Sequence, residues 1–137
     1  MHRFWRNLQH GLHFVFDEHN QTGLVIESNI VIENDSTISG YCQTQNWVNR
    51  KYFFTLIFNQ PFTSSEQLVG DEKDRAPKYL LDFNLSPKHI LQVKIALSTV
   101  SVEGAKLNLQ TEIPHWDFQQ VYQNNLNSWE HYLNKMD

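Results

Sequence analysis

The chain of 137 residues has the size of one ordinary domain and is too short for two units that each bury a core. Hydrophobic residues make up 40% and charged residues 19%, so the sequence can fold and is not a disordered tail. Eleven Lys and Arg against fifteen Asp and Glu give a formal net charge of −4, which argues against a nucleic-acid partner, because that affinity rests on neutralising phosphates.

Most of the first hundred residues alternate with the period of two that is typical of strands. The predicted strand segments are 12–16, 24–26, 30–32, 37–44, 52–58, 79–83 and 90–97. The segment 52–58 is almost continuously apolar, which favours a central strand covered on both faces. Residues 63–77 are polar and rich in turn formers, so they are predicted to form an exposed connection. The short links predict six or seven mostly antiparallel strands.

Two helices are predicted after residue 100. Ser101 can cap the first helix, which runs to about Glu112, is stopped by Pro114 and is weakened by Gly104. Asp117 begins a capping-box spacing for the second helix. Residues of its predicted inner stripe recur at intervals of three and four: Phe118, Val121, Tyr122, Asn125, Trp129, Leu133 and Met136. We expect this stripe to be buried, so that truncation of Trp129 would lower the melting temperature.

Seven histidines raise the question of a metal site. His10 and His13 are three residues apart, which places them on opposite faces of a strand. His115 and His131 have no cysteine or carboxylate at ligand spacing. Cys42 is the only cysteine, so an internal disulfide and a four-cysteine zinc site are excluded. We therefore expect no metal site in this chain.

Catalytic groups are also not apparent in the sequence. Acidic residues cluster at Asp17-Glu18 and in residues 71–74, and glycoside hydrolysis needs two carboxylates. Both clusters lie in turn-like segments of mixed charge, which favours solvated loops. Neither Ser98 nor Ser101 lies in a Gly-x-Ser-x-Gly motif, the sequence that places the nucleophilic serine of many hydrolases. No catalytic residue is assigned.

Trp47 is the candidate for contact with a sugar. It lies in the polar stretch 43–50 at a predicted strand end, where its ring could stack on a sugar while amide side chains bond hydroxyl groups. The alternative, which the sequence favours, is that Trp47 covers the end of a sandwich core. Both interpretations stay open, and no substrate-binding residue is assigned.

No signal peptide or membrane span is expected. Residues 1–7 carry positive charge but are followed by no apolar segment and no small-residue cleavage site. No stretch approaches the roughly 18 apolar residues that cross a bilayer.

Two segments form a recognisable succession. The first contains Ile38-Ser39-Gly40-Tyr41, Trp47, Tyr52-Phe53-Phe54 and Phe58-Asn59-Gln60-Pro61-Phe62. The second is a strand and helix over residues 93–114 that contains Ser101-Val102-Glu103, Asn108-Leu109 and Glu112-Ile113-Pro114, followed by Trp116-Asp117-Phe118, Trp129 and Leu133. From about residue 8 to residue 136 the chain resembles the N-terminal domain of glycoside hydrolase family 92 and the linker that follows it.

The resemblance implies a calcium-dependent, exo-acting α-mannosidase, often an α-1,2-mannosidase, as the parent enzyme. It implies a fold that is mainly β, with an incomplete, supersandwich-like antiparallel β-sandwich in residues 1–100 and two linker helices in residues 101–137. The catalytic carboxylates and calcium ligands of the family belong to an (α/α)6 barrel that would begin where this chain stops. None of them matches a position here, so the chain is expected to be a non-catalytic, inactive fragment that supports the barrel.

Partners and location follow from the same resemblance. The barrel of the parent chain would be the partner, mannose-containing glycans the substrates of the parent, and the bacterial parent would be periplasmic or secreted. The alternatives are a stand-alone carbohydrate-binding module and a purely structural interaction domain. Because the first strands of the sandwich would be missing, an unpaired sheet edge is expected to make the fragment a homodimer.

Overall fold

The structure, a computed structural model, describes residues 11–14, 24–45, 48–68, 77–86 and 90–135. These ranges contain seven strands and two helices. They are β1 Gly11–Phe14, β2 Leu24–Asn34, β3 Thr37–Gln45, β4 Asn49–Phe58, β5 Ser64–Leu68, β6 Lys78–Asp82, β7 Val93–Ser98, α1 Val102–Glu112 and α2 Phe118–Leu133. The predicted fold class, mainly β with two C-terminal helices, is confirmed.

The strands form two antiparallel sheets. The larger sheet has the order β2-β3-β4-β7, and the smaller sheet has the order β1-β6-β5. β4 lies between β3 and β7, as its continuous apolar run predicts. Within the described part of the chain, β7 is hydrogen-bonded to a strand on one side only, so it is an edge of the larger sheet.

The main core joins one face of the larger sheet to the smaller sheet. Its buried members are Ile38, Phe54, Leu56, Phe58, Phe62, Leu81 and Phe83. The ring of Phe58 packs tilted on Phe83, with the ring centroids 5.2 Å apart, and Phe62 meets both rings edge-on. Backbone hydrogen bonds close the same end, since Thr63 N–H donates to the Asp82 carbonyl. The two sheets are therefore linked by apolar packing, and the backbone bond extends the pairing of β5 with β6 at this end.

Gly40 allows the core face of β3 to receive a large ring. It lies between Ile30 on β2 and Phe54 on β4 in the strand register. A Cβ at this position would overlap the Asn29 carbonyl oxygen and lie 2.8 Å from Cζ of Phe54. The Phe54 ring therefore occupies the space above the glycine, an arrangement known to shield glycine in sheets.

Helix α1 packs on the opposite face of the larger sheet. Small side chains line up there in register, with Ser39 beside Thr55 and Thr55 beside Ala96. Ala105 and Leu109 are the buried residues of the helix. Ser101 caps it by accepting a hydrogen bond from Gly104 N–H, as predicted. A Cβ on Gly104 would lie 2.7 Å from Ser98 Oγ, so this glycine brings helix and strand together.

Two strand predictions need correction. The prediction that 63–77 is an exposed connection is wrong at Ser64–Leu68, which forms β5 and pairs with β6. The segment is polar because β5 is an outer strand held by backbone bonds, with most of its side chains exposed. The predicted pieces 24–26 and 30–32 form one strand, β2, whose register shifts between Val25 and Glu27.

Helix α2 begins at its predicted cap but has no buried residue. The Asp117 side chain accepts a hydrogen bond from Gln120 N–H. Trp129 is 67% exposed. The expectation that the stripe of α2 is buried is therefore wrong for the part of the chain that the structure describes, and with it the premise that Trp129 is a core residue.

Candidate docking surface

The apolar side chains of β7 face the core side of the sheet but are only partly covered. In register, Leu97 lies beside Phe54 and Ile95 beside Leu56, and both partners on β4 are buried. Ile95 itself is 50% exposed and Leu97 is 58% exposed. The described strands of the smaller sheet thus cover β4 and leave β7 accessible.

The connection between α1 and α2 crosses the start of β7 and is held there by polar contacts. Lys94 Nζ donates a hydrogen bond to the Ile113 carbonyl at 2.9 Å and lies 4.2 Å from the centroid of the Trp116 ring. Gln92 Nε2 donates to the Trp116 carbonyl at 3.4 Å. Partial burial lowers the pKa of the Lys94 ammonium below its usual value. These contacts fix where α2 starts.

A pocket of about 370 Å³ opens between β7, this connection and the first turn of α2. Val93 and Ile95 form its strand wall, Trp116 lies on the connection, and Phe118 and Val121 form its helix wall. The volume lies in the range of about 300 to 1,000 Å³ that small-molecule pockets occupy. Its walls are mainly apolar, so it suits an apolar side chain better than a charged substrate.

Helix α2 extends this pocket into a larger apolar surface. Large apolar side chains that are exposed along the helix are Phe118, Tyr122, Leu126, Trp129, Tyr132 and Leu133. Five of them recur at intervals of three and four residues, so they form one stripe. An exposed apolar surface of this extent is typical of an interaction site. We call this stripe together with the pocket the docking surface.

Two carboxylates of β2, those of Glu27 and Glu33, each contact a lysine. Lys106 Nζ lies 2.7 Å from the Glu33 carboxylate, which also accepts a hydrogen bond from Ser39 Oγ. The hydrogen bond from Lys106 has the larger effect and the one from the Ser39 hydroxyl the smaller, and together they hold the pKa of Glu33 below its usual value. On the exposed part of the same face, Glu27 accepts a hydrogen bond from a tyrosine hydroxyl and lies 3.4 Å from Lys51 Nζ. These contacts tie strands and α1 together and give no acid–base pair for hydrolysis.

The predicted candidate residues within the described ranges have structural partners. His115 Nδ1 accepts a hydrogen bond from Asp117 N–H, and the His131 ring meets Tyr132. Burial raises the pKa of the Cys42 thiol, which disfavours the reactive thiolate. Among the described residues, no group of three His, Cys, Asp or Glu side chains is arranged to hold a metal ion.

The two serines considered as nucleophiles also have local partners. Ser98 Oγ accepts a hydrogen bond from Val100 N–H at 3.1 Å, and Ser101 caps α1. Within the described ranges, neither serine is hydrogen-bonded to a histidine that could act as its base. Both belong to the turn that joins β7 to α1.

Several candidates lie outside the described residues. These are Trp47, His10, Asp17-Glu18 and residues 71–74, as well as the side chain of His13. The sugar-binding interpretation of Trp47 therefore stays a prediction.

The docking surface differs from what the sequence indicated. The alternation in residues 90–97 correctly placed Val93, Ile95 and Leu97 on one face, but gave no sign that this face is uncovered at β7. The aromatic residues Trp116 and Phe118, close after Pro114, are the signal that could have marked the connection as part of a surface.

No described helix is long and apolar enough to cross a membrane. Comparison with protein-family models and with curated proteins gives no match to this chain.

Proposed function

We propose that this chain is a non-catalytic part of a calcium-dependent exo-α-mannosidase and supports its catalytic barrel. The docking surface would be the contact with that barrel. The identity of the parent enzyme and of its substrates, mannose-containing glycans, comes from the resemblance to glycoside hydrolase family 92.

The observation that carries the proposal is the exposure of α2. A helix of sixteen residues with no buried side chain gains nothing from the apolar stripe that it displays. Burying a large apolar side chain contributes about 1.5 to 3 kcal/mol, so covering the stripe would stabilise both bodies. A second folded unit that packs against α2 explains why Trp129 and its neighbours are apolar.

The residues that carry the resemblance also perform structural tasks consistent with it. Gly40 receives the Phe54 ring, and Phe58 and Phe62 join the two sheets. Ser101 caps α1, and Trp116 packs on Lys94 where the linker begins. The succession is thus tied to positions that set the sheet and the direction of the linker.

The described residues do not fit a calcium site. Glu27 and Glu33 each bind a lysine, and no group of three potential ligands is found among the described residues. The resemblance implies that calcium and the catalytic carboxylates belong to the barrel, and the proposal assigns no catalytic step to this chain.

The direct test begins with the transcript that encodes this segment. We expect the reading frame to continue past Asp137 into a helix-rich segment, and the full product to hydrolyse α-1,2-mannobiose with loss of activity in a calcium chelator. Trp129→Asp should lower the melting temperature and activity of the full product. Asn124→Asp, which places the same charge on the other side of α2, should leave both unchanged. A full product without mannosidase activity would refute the proposal.

The chain alone distinguishes the remaining alternatives. We expect no turnover of 4-nitrophenyl α-mannoside, with or without calcium, above a boiled control. Calorimetric titration with mannose and mannobiose should show no binding. Binding by the isolated chain would instead favour a stand-alone carbohydrate-binding module.

A further inference from the structure

The edge of β7 has the features of a self-complementary interface. We propose that β7 pairs antiparallel with β7 of a second copy of this chain, about a two-fold axis at Ile95. The larger sheets of the two copies would then form one continuous sheet. The contact shares Val93, Ile95, Trp116 and Phe118 with the docking surface, so the inference concerns the chain when no barrel covers that surface, and it does not require the proposed function.

The direction of the backbone groups of β7 is fixed by hydrogen bonds at both ends of the strand. Asn59 N–H donates to the Gln92 carbonyl, and Gln92 N–H donates to Asn59 Oδ1, so the backbone of Gln92 points toward β4. Because backbone direction alternates along a strand, the groups of Val93, Ile95 and Leu97 point outward. The Asn108 side-chain amide donates to the Leu97 carbonyl at 2.8 Å, which agrees with that direction.

The outward groups select one antiparallel register. A register that uses all three outward residues places Ile95 opposite Ile95 of the second copy and Val93 opposite Leu97. In this register every outward residue of β7 faces an outward residue. The Leu97 carbonyl keeps a second lone pair for this bond beside the one that Asn108 occupies.

Side chains in this register are complementary to themselves. On the core side, Val93 meets Leu97 and Ile95 meets its own copy, so all cross-strand pairs are apolar. On the other side, Lys94 faces Ala96, and no like charges oppose each other. Lysine side chains on an edge strand commonly protect the edge from such pairing. The ammonium group of Lys94 is not free to do so, because it packs on the Trp116 ring and donates to the Ile113 carbonyl.

The size of the contact sets the expected strength. Stable dimers bury about 1,200 to 2,000 Å² in total, and one six-residue strand pair falls below that range. Trp116 and Phe118 border the same edge and can add apolar contact. We therefore expect a concentration-dependent dimer with a dissociation constant in the micromolar range.

Sedimentation of the chain over a wide concentration range tests the proposal. We expect a monomer–dimer equilibrium in which Ile95→Lys, which sets two ammonium groups face to face at the axis, raises the dissociation constant more than about tenfold. Leu107→Lys makes the same change at an exposed position of α1 and should leave the equilibrium unchanged. Circular dichroism checks that both variants keep the fold of the original chain.

An unmodified chain provides a second and independent readout. In a sample that mixes isotope-labelled and unlabelled copies, the register predicts intermolecular contacts between the Ile95 side chains and between Val93 and Leu97. The amide of Ile95 should also exchange more slowly as the dimer fraction rises. A monomer at all concentrations, a dimer that survives Ile95→Lys, or a dimer without these contacts would overturn the proposal.

Discussion

Thr55 offers the sharpest test of how the larger sheet and α1 are packed. The residue is 0% exposed, and its hydroxyl oxygen has no hydrogen-bond partner among the residues that the structure describes. It lies between Ser39 and Ala96 in the strand register, beneath the helix that buries Ala105 and Leu109. A buried hydroxyl without a partner costs about 1 to 3 kcal/mol, because it gave up hydrogen bonds to water on folding.

Replacement of Thr55 with valine should therefore stabilise the protein. Valine has nearly the same shape, keeps the β-branch that suits a strand and removes the unpaired hydroxyl. We expect the free energy of unfolding to rise by about 1 to 2 kcal/mol, which corresponds to roughly 3 to 6 °C in the melting temperature of a chain of this size.

Urea denaturation followed by circular dichroism measures this change. Thr55→Ser is the matched control, because it keeps the hydroxyl and deletes the buried methyl group, and it should cost about 1 kcal/mol. The denaturant dependence of the free energy should stay the same in both variants, since the surface exposed on unfolding hardly changes. A Thr55→Val protein that is less stable than the original would mean that the hydroxyl has a partner and that the packing argument is wrong.

Three further predictions concern other positions. Gly40→Ala should lower the free energy of unfolding by about 1 to 3 kcal/mol in the same assay, because the new Cβ meets Phe54 and a backbone carbonyl; an unchanged value would contradict the close approach described here. Because the pKa of Glu33 is lowered in the folded state, its contribution to the free energy of unfolding is present above the unfolded pKa and is lost as pH falls through the folded pKa. Lys106→Met should make the loss of stability at acid pH smaller. The same dependence of stability on acid pH in both proteins would contradict the ion pair. Trp129→Ala should leave the melting temperature of the isolated chain nearly unchanged, since Trp129 is exposed, and a large drop would show that α2 is buried in solution.

Elements with a strong local signal were predicted correctly. The apolar run of β4, the cap at Ser101 and the cap at Asp117 each depend on residues close in sequence, and the structure has all three. Gly104 shows the limit of local reasoning. Propensity alone marks it as a weak point of α1, whereas its contact with Ser98 on β7 explains its presence.

The predictions that were wrong or incomplete concern residues whose pairing or burial depends on an element distant in sequence. β5 is polar enough to be taken for a loop, because backbone pairing with β6 holds it. The stripe of α2 has the period of a buried helix, but periodicity gives the direction of an apolar face and says nothing about what lies opposite. The same holds for Val93 on β7. The alternation correctly predicts which face its side chain lies on, but no other element fully covers that side chain in the described part of the chain.

The order of strands in the larger sheet has a consequence for folding during synthesis. β2, β3 and β4 are neighbours both in sequence and in the sheet, so they can pair as soon as they leave the ribosome. β1 must wait for β6, because Leu12 pairs with Leu81, and β7, which covers the other edge of β4, is made later still. Until then the most apolar strand of the chain, with Phe54 and Phe58, is an open edge. The nascent protein therefore passes through a stage in which it is most prone to aggregate, and chaperone binding should matter most there.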